Sequence, residues 1–306
     1  MPIKIPDDLP ARQALMNDGI ELMREKDAMR QDIRPLRIAL LNLMPEKIKT
    51  ETQLARVLGA TPLQVELTLL RTASYAGKTT AASHMQAFYT TWADVSTQRF
   101  DGLMITGAPI EKLPFTDVLY WDELKEILDW ANTHVFSTLG LCWGGQAALH
   151  HWYSVPKWTL PEKRFGLYPH KLAQERSPLL IGFDDVIQVP VSRHTEVRRQ
   201  DILDHADLRI LIDSEEAGVC LVADPNRQRY FMFNHLEYDA GTLRDEYLRD
   251  VAAGRSIEPP RYYFPDNDPG ARPLHSWRAS AHLFFGNWLN AVYQTTPFDL
   301  ADMRPR

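Results

Sequence analysis

A cysteine lies at a glycine-rich turn in the stretch LGLCWGGQAAL (139–149). Cys142 stands two residues from Gly140 and two from Gly144, between an apolar run and a helix-like segment, which is the spacing of a nucleophile elbow. Small residues let a strand and a helix meet at a sharp turn, and the helix N-terminus then favours the reactive thiolate. The backbone N–H of Trp143 is a candidate oxyanion donor. The spacing favours a catalytic thiol; the alternative is a small cysteine packed in a turn.

A histidine and a glutamate separated by one residue occur later, in FNHLEYDAG (233–241). His235 and Glu237 follow the strand-like segment RYFMF, and strand spacing predicts that their side chains share a face. A histidine accepts the proton of a nucleophile, and a carboxylate fixes its tautomer and stabilises the imidazolium. The alternative is a surface histidine beside a surface glutamate. Together with Cys142, the pair predicts a Cys-His-Glu catalytic set.

The elements that position these residues alternate between strands and helices. Four apolar runs are typical of strands buried on both faces, namely LRIALLNLM (36–44), LQVELTLLR (63–71), FDGLMITGAP (100–109) and VFSTLGL (135–141). Helical spacing follows the first run, where Pro45 marks a helix start and Gly59 its end, and recurs over 118–134 and after Cys142. Later segments predict shorter, partly antiparallel strands and two closing helices, namely DLRILIDS, GVCLVADP and RYFMFNHLE, then AGTLRDEYLRDVAAG and SWRASAHLFFGNWLNAVY.

This alternation predicts an α/β fold with a mostly parallel sheet. No repeat or linker interrupts the chain, so residues 1–306 are predicted to form a single domain. Residues 1–34 are polar and punctuated by prolines, and we expect them to form an N-terminal arm on the body of that domain.

Composition narrows the classes of function. The 306 residues carry a net charge of -6 and have no basic run, which argues against a nucleic-acid surface. The uncharged run 131–156 contains Gln146, histidines and glycines, which a membrane-spanning helix does not favour. Two cysteines and an N-terminus without a signal core indicate a cytoplasmic protein. Zinc-type cysteine spacings and phosphate-binding glycine loops do not occur in the sequence.

The Cys142 turn and the HLEYD segment resemble class I glutamine amidotransferase-like proteins. More closely, the chain between residues 34 and 299 resembles the homoserine O-acyltransferase family, on the segments RPLRIALLNLMP, FDGLMITGAP, CWGGQAAL, FDD, PVSRHTEV, HLEYD, YFPDNDP and FFGNWLNAVYQTTP. The family often has proline where this chain has Leu236, a residue that should point away from the catalytic pair. The resemblance implies a flavodoxin-like sheet with helices on both faces, and a homodimer.

The resemblance also implies an acyltransferase of methionine biosynthesis with a ping-pong mechanism. Cys142 would attack an acyl-CoA thioester, and the hydroxyl of L-homoserine would then take the acyl group. His235 would act as general base and Glu237 would orient it. The implied oxyanion donors are backbone N–H groups of Trp143, Gly107 and Ala108. The resemblance implies no metal, and no cofactor besides the acyl-CoA co-substrate.

Further positions match the family's substrate sites. Those for the amino acid are Lys163, Ser192 and Arg249, and an arginine suits a carboxylate because it donates two parallel hydrogen bonds. Lys47, just after the first strand, is one more candidate. Glu111 matches a position at which glycine accompanies succinyl-CoA and glutamate accompanies acetyl-CoA. Because a carboxylate there would repel the second carboxylate of a succinyl group, the expected donor is acetyl-CoA.

Three alternatives stay open at this point. The donor could be succinyl-CoA; the same three residues could serve an amidase or glutaminase; or Cys142 could act in a redox sensor. Ser192 and Arg249 have a use with homoserine and none with water, which favours a transferase over a hydrolase. A separate serine-based class of homoserine acetyltransferases has an α/β-hydrolase fold, and a cysteine at the elbow argues against that class.

Overall fold

The structure is a computed structural model that describes residues 3–4, 8–17, 22–23, 34–75, 79–173 and 177–304. Within these residues, twelve strands form one sheet. In chain order, strands β1 to β12 span Ile3–Lys4, Leu22–Met23, Leu36–Leu41, Val65–Arg71, Tyr89–Thr91, Phe100–Ile105, Val135–Leu141, Trp158–Leu172, Val186–Glu196, Arg209–Ser214, Gly218–Asp224 and Arg229–Met232. Their order across the sheet is β2-β1-β4-β3-β6-β7-β12-β11-β10-β8-β9, and β5 pairs with β4 beside this path.

The sheet is parallel from β2 to β12 and antiparallel from β12 to β9. Parallel strands need crossover connections, which here are the helices predicted after the apolar runs. The predicted α/β fold with a mostly parallel sheet is therefore confirmed, and so is the prediction that the later strands are partly antiparallel.

Helices cover both faces of the parallel half. Helices α1 to α9 span Ala11–Asn17, Lys47–Leu58, Ala82–Phe88, Trp92–Val95, Trp121–His134, Trp143–Tyr153, Arg199–Leu203, Thr242–Ala252 and Arg278–Thr295. In β3, Ile38 and Leu40 join an apolar cluster with α2 and α9. Their neighbours Ala39 and Leu41 join a second cluster with α5 and α6. A strand buried on both faces has no polar alternation, which explains the continuous apolar runs of the sequence.

The β8–β9 hairpin is the main element that the sequence analysis did not predict. It pairs antiparallel from Trp158 opposite Glu196 to Lys171 opposite Val186, with an irregularity between Thr159 and Arg164. Its first strand is half polar, and its exposed positions break the alternation by which a strand is recognised. The backbone N–H of His235 donates to Pro190 of β9 at 2.9 Å, so the hairpin lies against the segment that follows β12.

The predicted N-terminal arm, residues 1–34, falls largely outside the described residues. Its described parts belong to the sheet and the core, because β1 pairs with β4 and with β2. Helix α1 buries Ala11 and Leu15 in the core.

The described residues contain neither a metal-binding cluster nor a membrane-spanning helix. Among them, three or more His, Cys, Asp or Glu side chains nowhere gather in a way that could hold a metal ion. Among the same residues, no helix has the length and hydropathy to cross a membrane.

Candidate active site

Cys142 occupies the turn between β7 and α6, at the carboxyl edge of the sheet. Its φ of 50° and ψ of -122° lie in a region that residues with side chains rarely adopt, as in a strained nucleophile elbow. Its N–H donates to the carbonyl of Met232 in the adjacent strand β12 at 2.7 Å. Because α6 begins at the next residue, the positive end of the helix dipole lies at the sulfur.

Glycine is required on both sides of this turn because backbone atoms approach too closely for a Cβ. A Cβ at Gly140 would lie 2.6 Å from the Cα of Gly145. A Cβ at Gly144 would lie 2.4 Å from the carbonyl oxygen of Thr106. Both contacts are with backbone, so strand and helix would have to move apart. The glycine pattern around Cys142 therefore has a steric basis in this fold.

His235 and Glu237 meet in a turn, and the prediction that strand spacing brings them together was wrong. Strand β12 ends at Met232, and the chain then bends so that His235 Nδ1 lies 2.7 Å from Glu237 Oε1. The intervening Leu236 packs in the core, as expected for a residue that points away from the pair. The bend brings the two side chains together, as strand spacing would have done if β12 were longer.

The charge on His235 depends on its two partners. Burial alone would lower its pKa, because burial disfavours the imidazolium. The charges of Glu237 and of a Cys142 thiolate outweigh burial and raise the pKa of His235 well above its ordinary value. The ring of Tyr238 stacks on the imidazole with centroids 4.1 Å apart, which holds the imidazole plane. This environment favours the imidazolium form of His235.

The turn at Gly107 borders Cys142. A Cβ at Gly107 would lie 3.5 Å from Cys142 Sγ and 3.7 Å from the backbone nitrogen of Trp143. Ala108, the next residue, is buried. Gly107 and the backbone nitrogen of Trp143 therefore lie close to the sulfur, and Ala108 directly follows Gly107; the role of the three N–H groups as oxyanion donors stays a prediction.

Lys163, Ser192 and Arg249 converge on the side chain of Glu246. Lys163 Nζ lies 2.7 Å from Glu246 Oε1, and Ser192 Oγ donates to the same oxygen at 2.9 Å. Arg249 Nη2 lies 3.7 Å from it. Lys163 comes from β8 and Ser192 from β9, while Glu246 and Arg249 are one turn apart on α8. We call these four residues the Glu246 cluster.

Asp250 fixes the direction of Arg249 within this cluster. Arg249 donates from Nε at 2.9 Å and from Nη2 at 2.8 Å to Asp250 Oδ1. Burial would raise the pKa of Asp250, but hydrogen bonding and charge from Arg249 outweigh burial and lower it. The side chain of Arg249 is 63% exposed, so its free donors are accessible to a ligand that enters from solvent.

Glu111 contacts β9 two residues from Ser192 of the Glu246 cluster. Its Oε2 accepts a hydrogen bond from the backbone N–H of His194 at 2.6 Å. Burial raises the pKa of Glu111, and this hydrogen bond and the charge of His235 offset the shift only in part. Lys157 Nζ donates to the backbone carbonyl of Glu111 and to that of Leu113, so the segment that carries the carboxyl group is held at its backbone.

The hydroxyl of Tyr238 connects these parts of the site. Burial raises its pKa well above the ordinary value, and so do nearby charges, which are those of Glu246, Glu237, Cys142 and Glu111. The phenol is therefore protonated at neutral pH. Hydrogen bonds to β9 bring these groups near one another. Pro190 accepts from the N–H of His235, Ser192 donates to Glu246, and the N–H of His194 donates to Glu111.

The sequence analysis did not single out Tyr238 or Glu246 as site residues. Tyr238 belongs to the quoted segment HLEYD, so its position one residue after Glu237 was a usable signal. Glu246 stands one helical turn before Arg249, a spacing at which the two side chains share a helix face. Nothing in the sequence indicates that Lys163 and Ser192 reach the same carboxylate.

Lys47 is not part of the Glu246 cluster. At the start of α2, its Nζ donates to the carbonyl of Asn42 at 2.6 Å and to that of Met44 at 3.1 Å. Burial lowers the pKa of Lys47 to about 8, with Glu51 opposing the shift and Arg71 adding to it. Lys47 lines a separate cavity over the carboxyl ends of β3, β4 and β6.

The fold has relatives of known structure. A glutamine amidotransferase from Thermotoga maritima matches with a TM-score of 0.54 and 13% identity, covering 86% of this chain and 100% of that one. A glutamine amidotransferase from Methylobacillus flagellatus matches with a TM-score of 0.52 and 12% identity, covering 85% and 95%. At these identities the likeness concerns the fold alone, and it confirms the class I glutamine amidotransferase-like sheet.

Sequence relatives cover the whole chain. A protein of Rhizobium rhizogenes named homoserine O-acetyltransferase is 57% identical over 99% of this chain and 98% of its own. One of Hyphomonas neptunium with the same name is 52% identical over 99% of each chain. A family model described as homoserine O-succinyltransferase matches residues 2–298. The resemblance inferred from the sequence is thus confirmed, and the chain belongs to the homoserine O-succinyltransferase family of acyltransferases.

Proposed function

We propose that this protein is a homoserine O-acetyltransferase that transfers an acetyl group from acetyl-CoA to the hydroxyl of L-homoserine through an acyl-cysteine. The observation that carries the proposal is that β9 joins the two parts of the site, since its Pro190 accepts from the N–H of His235 and its Ser192 donates to Glu246. The name shared by the relatives from Rhizobium rhizogenes and Hyphomonas neptunium supports the same reaction.

The first half-reaction uses the thiolate–imidazolium pair. Cys142 Sγ attacks the thioester carbonyl, and the resulting oxyanion is stabilised by the N–H of Trp143 and the turn at Gly107. The carbon–sulfur bond to CoA breaks, and the CoA thiolate takes the proton of His235. Cys142 is left acetylated, and His235 is left as a neutral base.

The second half-reaction reverses these roles. His235 takes the proton of the homoserine hydroxyl while the oxygen attacks the acetyl-cysteine carbonyl. The bond from carbon to Cys142 Sγ breaks, and O-acetylhomoserine leaves. Glu237 accepts the hydrogen bond from His235 Nδ1 in both half-reactions and keeps Nε2 directed at the reacting atoms.

The Glu246 cluster matches the backbone groups of an amino acid. The carboxylate of Glu246 can accept the ammonium of homoserine, while Lys163 and Arg249 are cations for its carboxylate. Without the amino acid, these cations are paired with Glu246 and Asp250. Glutamine carries the same two charged groups, so a glutaminase would need this arrangement as well; the names of the relatives favour the transferase over that alternative.

The choice of acetyl over succinyl rests on Glu111. The family model carries the succinyl name, whereas the relatives at 52% and 57% identity carry the acetyl name. Glu111 places a carboxyl group within electrostatic reach of His235 and of Glu246. A succinyl group on Cys142 would bring its free carboxylate close to Glu111, where lack of space and charge repulsion would both disfavour it.

We also infer a cytoplasmic homodimer, as implied by the family resemblance. Both cysteines are unpaired and buried, which fits a reducing compartment. The size of the native protein in solution tests the dimer.

Replacing Glu111 with glycine should shift donor preference towards succinyl-CoA. The ratio of kcat/KM for succinyl-CoA to that for acetyl-CoA should rise at least about tenfold, which is about 1.4 kcal/mol of differential transition-state binding. Glu111→Gln keeps the volume and removes the charge, so it separates repulsion from steric exclusion. Side-by-side assays with both donors decide the question, and a wild-type preference for succinyl-CoA would contradict the acetyl assignment.

The mass of the intact protein tests the reaction itself. After incubation with acetyl-CoA and no homoserine, we expect one added acetyl group, mapped to Cys142 by peptide analysis. Addition of homoserine should restore the original mass and release O-acetylhomoserine. An unmodified protein, or an adduct lost to water as fast as to homoserine, would contradict the transferase assignment.

A further inference from the structure

A cavity of about 710 Å³ lies over the carboxyl ends of β4, β3 and β6, beside the strand that leads to Cys142. Its described wall is mostly apolar, with side chains of Leu43, Met85, Ile110, Leu113, Val118 and Leu119. This volume is in the range of pockets that enclose small-molecule ligands. The described lining contains no member of the Cys-His-Glu set or of the Glu246 cluster, so the cavity is distinct from the space around those residues.

One end of the cavity adjoins the reacting sulfur. Ala108 and Pro109 line it and directly follow Gly107, where a Cβ would lie 3.5 Å from Cys142 Sγ. In the strand order, β4, β3 and β6 lie on one side of β7, whereas β9, which carries Ser192, lies on the other. Two ligands can therefore reach Cys142 from opposite directions.

Two cations and one carboxylate, that of Asp117, stand in this mostly apolar wall. Lys47 and Arg71 both line the cavity, and burial and mutual repulsion disfavour the charge on Lys47. An anionic group bound between them would relieve that repulsion. The ligand that fits such a cavity is long and largely uncharged, with negative charge at one end.

A buried hydrogen-bond network fixes Lys47 in the wall. Asn42, whose carbonyl binds Lys47 Nζ, donates from its side chain to the hydroxyl of Tyr89 at 2.8 Å. Tyr89 in turn donates to the fully buried carboxyl group of Glu51 at 2.5 Å. His84 Nε2 lies 3.0 Å from the same carboxyl group. The cation is therefore held in a preformed position rather than on a free side chain.

We propose that this cavity binds the pantetheine arm of the acyl-CoA donor, with the thioester at the Gly107–Ala108 end and the phosphates towards Lys47 and Arg71. The inference rests on the proposed function and assigns its donor subsite. The arm is a chain of methylene and amide groups, which suits an apolar wall with a few polar groups, and phosphates suit a lysine and an arginine. Thr79 and Gln86 in the wall offer polar side chains to the amides.

Helix α3 allows the cavity to be filled without touching the catalytic residues. Ala82, Met85 and Gln86 line the cavity from one face of this helix, whereas Ala87 is exposed on the same helix and does not line it. Ala82→Trp therefore fills the cavity, and Ala87→Trp is the matched control. Gln86→Trp is a second filling variant in case the first fails to fold.

The test compares two donors in a single acylation of Cys142, followed by the mass of the intact protein. One donor is acetyl-CoA, and the other is S-acetyl-N-acetylcysteamine, which has the same thioester without the rest of the arm. With acetyl-CoA below saturation, we expect Ala82→Trp to react at least tenfold more slowly than wild type. With the short thioester, the two proteins should react equally, and Ala87→Trp should match wild type with both donors.

Each other outcome overturns the proposal. If Ala82→Trp and Gln86→Trp react with acetyl-CoA as fast as wild type, the arm lies elsewhere. If the filling variants slow both donors equally, the cavity affects the nucleophile and not the arm. If neither donor acetylates the wild-type protein, the proposed function itself is contradicted. If acetylation is normal and the filling variants do not change it, only the assignment of the cavity is contradicted.

Discussion

Cys142→Ala should abolish acetyl transfer, with kcat falling by about 10⁴-fold or more, as when the nucleophile of a catalytic triad is removed. The neighbouring hydroxyl of Thr106 is held in hydrogen bonds with the carbonyl of Gly107 and the N–H of Leu43, so it does not replace the sulfur. The fold should survive because the substitution keeps a Cβ at a position whose φ of 50° the protein already tolerates. Consumption of the acetyl-CoA thioester and circular dichroism measure the two effects together.

The other cysteine provides the control for this experiment. Cys220 is fully buried in β11, its sulfur lies 3.4 Å from Met232 Sδ, and burial raises the pKa of its thiol to about 12. Cys220→Ala should therefore keep normal acetylation while it lowers the free energy of unfolding by about 1 kcal/mol through the small cavity it leaves. Normal turnover by a folded Cys142→Ala protein would eliminate the acyl-cysteine mechanism.

Glu237→Gln should reduce the rate of Cys142 acylation by about 10³- to 10⁴-fold, the range known for amide replacements of the triad carboxylate in other enzymes. The amide cannot stabilise the imidazolium and can donate to Nδ1, which selects the wrong tautomer of His235. Because the charge of Glu237 contributes to the raised pKa of His235, its loss should lower that pKa. The imidazolium is then lost at lower pH, so the alkaline limb of the acylation profile should move to lower pH.

A pH profile of acylation, measured by stopped reactions and protein mass, checks both effects. Glu126→Gln is the control, since Glu126 is an exposed residue of α5 outside the site. An equal loss of rate with an unchanged profile would mean that Glu237 only supports the local fold. Wild-type rates in the variant would remove Glu237 from the catalytic set.

The sheet and the glycine turn at Cys142 were predictable because their signals are local. A strand between two helical layers must be apolar throughout, as β3 is, and a sharp turn between strand and helix must have glycines, as around Cys142. The pairing of His235 with Glu237 was also predicted, although the chain bends there and the strand ends earlier. In each case the residues that determine the structure lie within a few positions of one another.

The Glu246 cluster could not be predicted in this way. It forms only when β8, β9 and α8 pack together, and the sequence separates Lys163 from Glu246 by most of the antiparallel half of the sheet. The hairpin that carries Lys163 and Ser192 has a polar, irregular first strand with no clear period. The family resemblance supplied Lys163, Ser192 and Arg249, but the carboxylate on which they converge emerged only from the fold.

The pairing of β7 with β12 has a mechanical consequence. Met232 lies opposite Leu141 in the parallel ladder, and the N–H of Cys142 continues that ladder to the Met232 carbonyl. The thiol and the imidazole therefore extend from adjacent strands by one and three residues, respectively, so little flexible chain separates them. A twist of the sheet would therefore displace both groups together and preserve their separation.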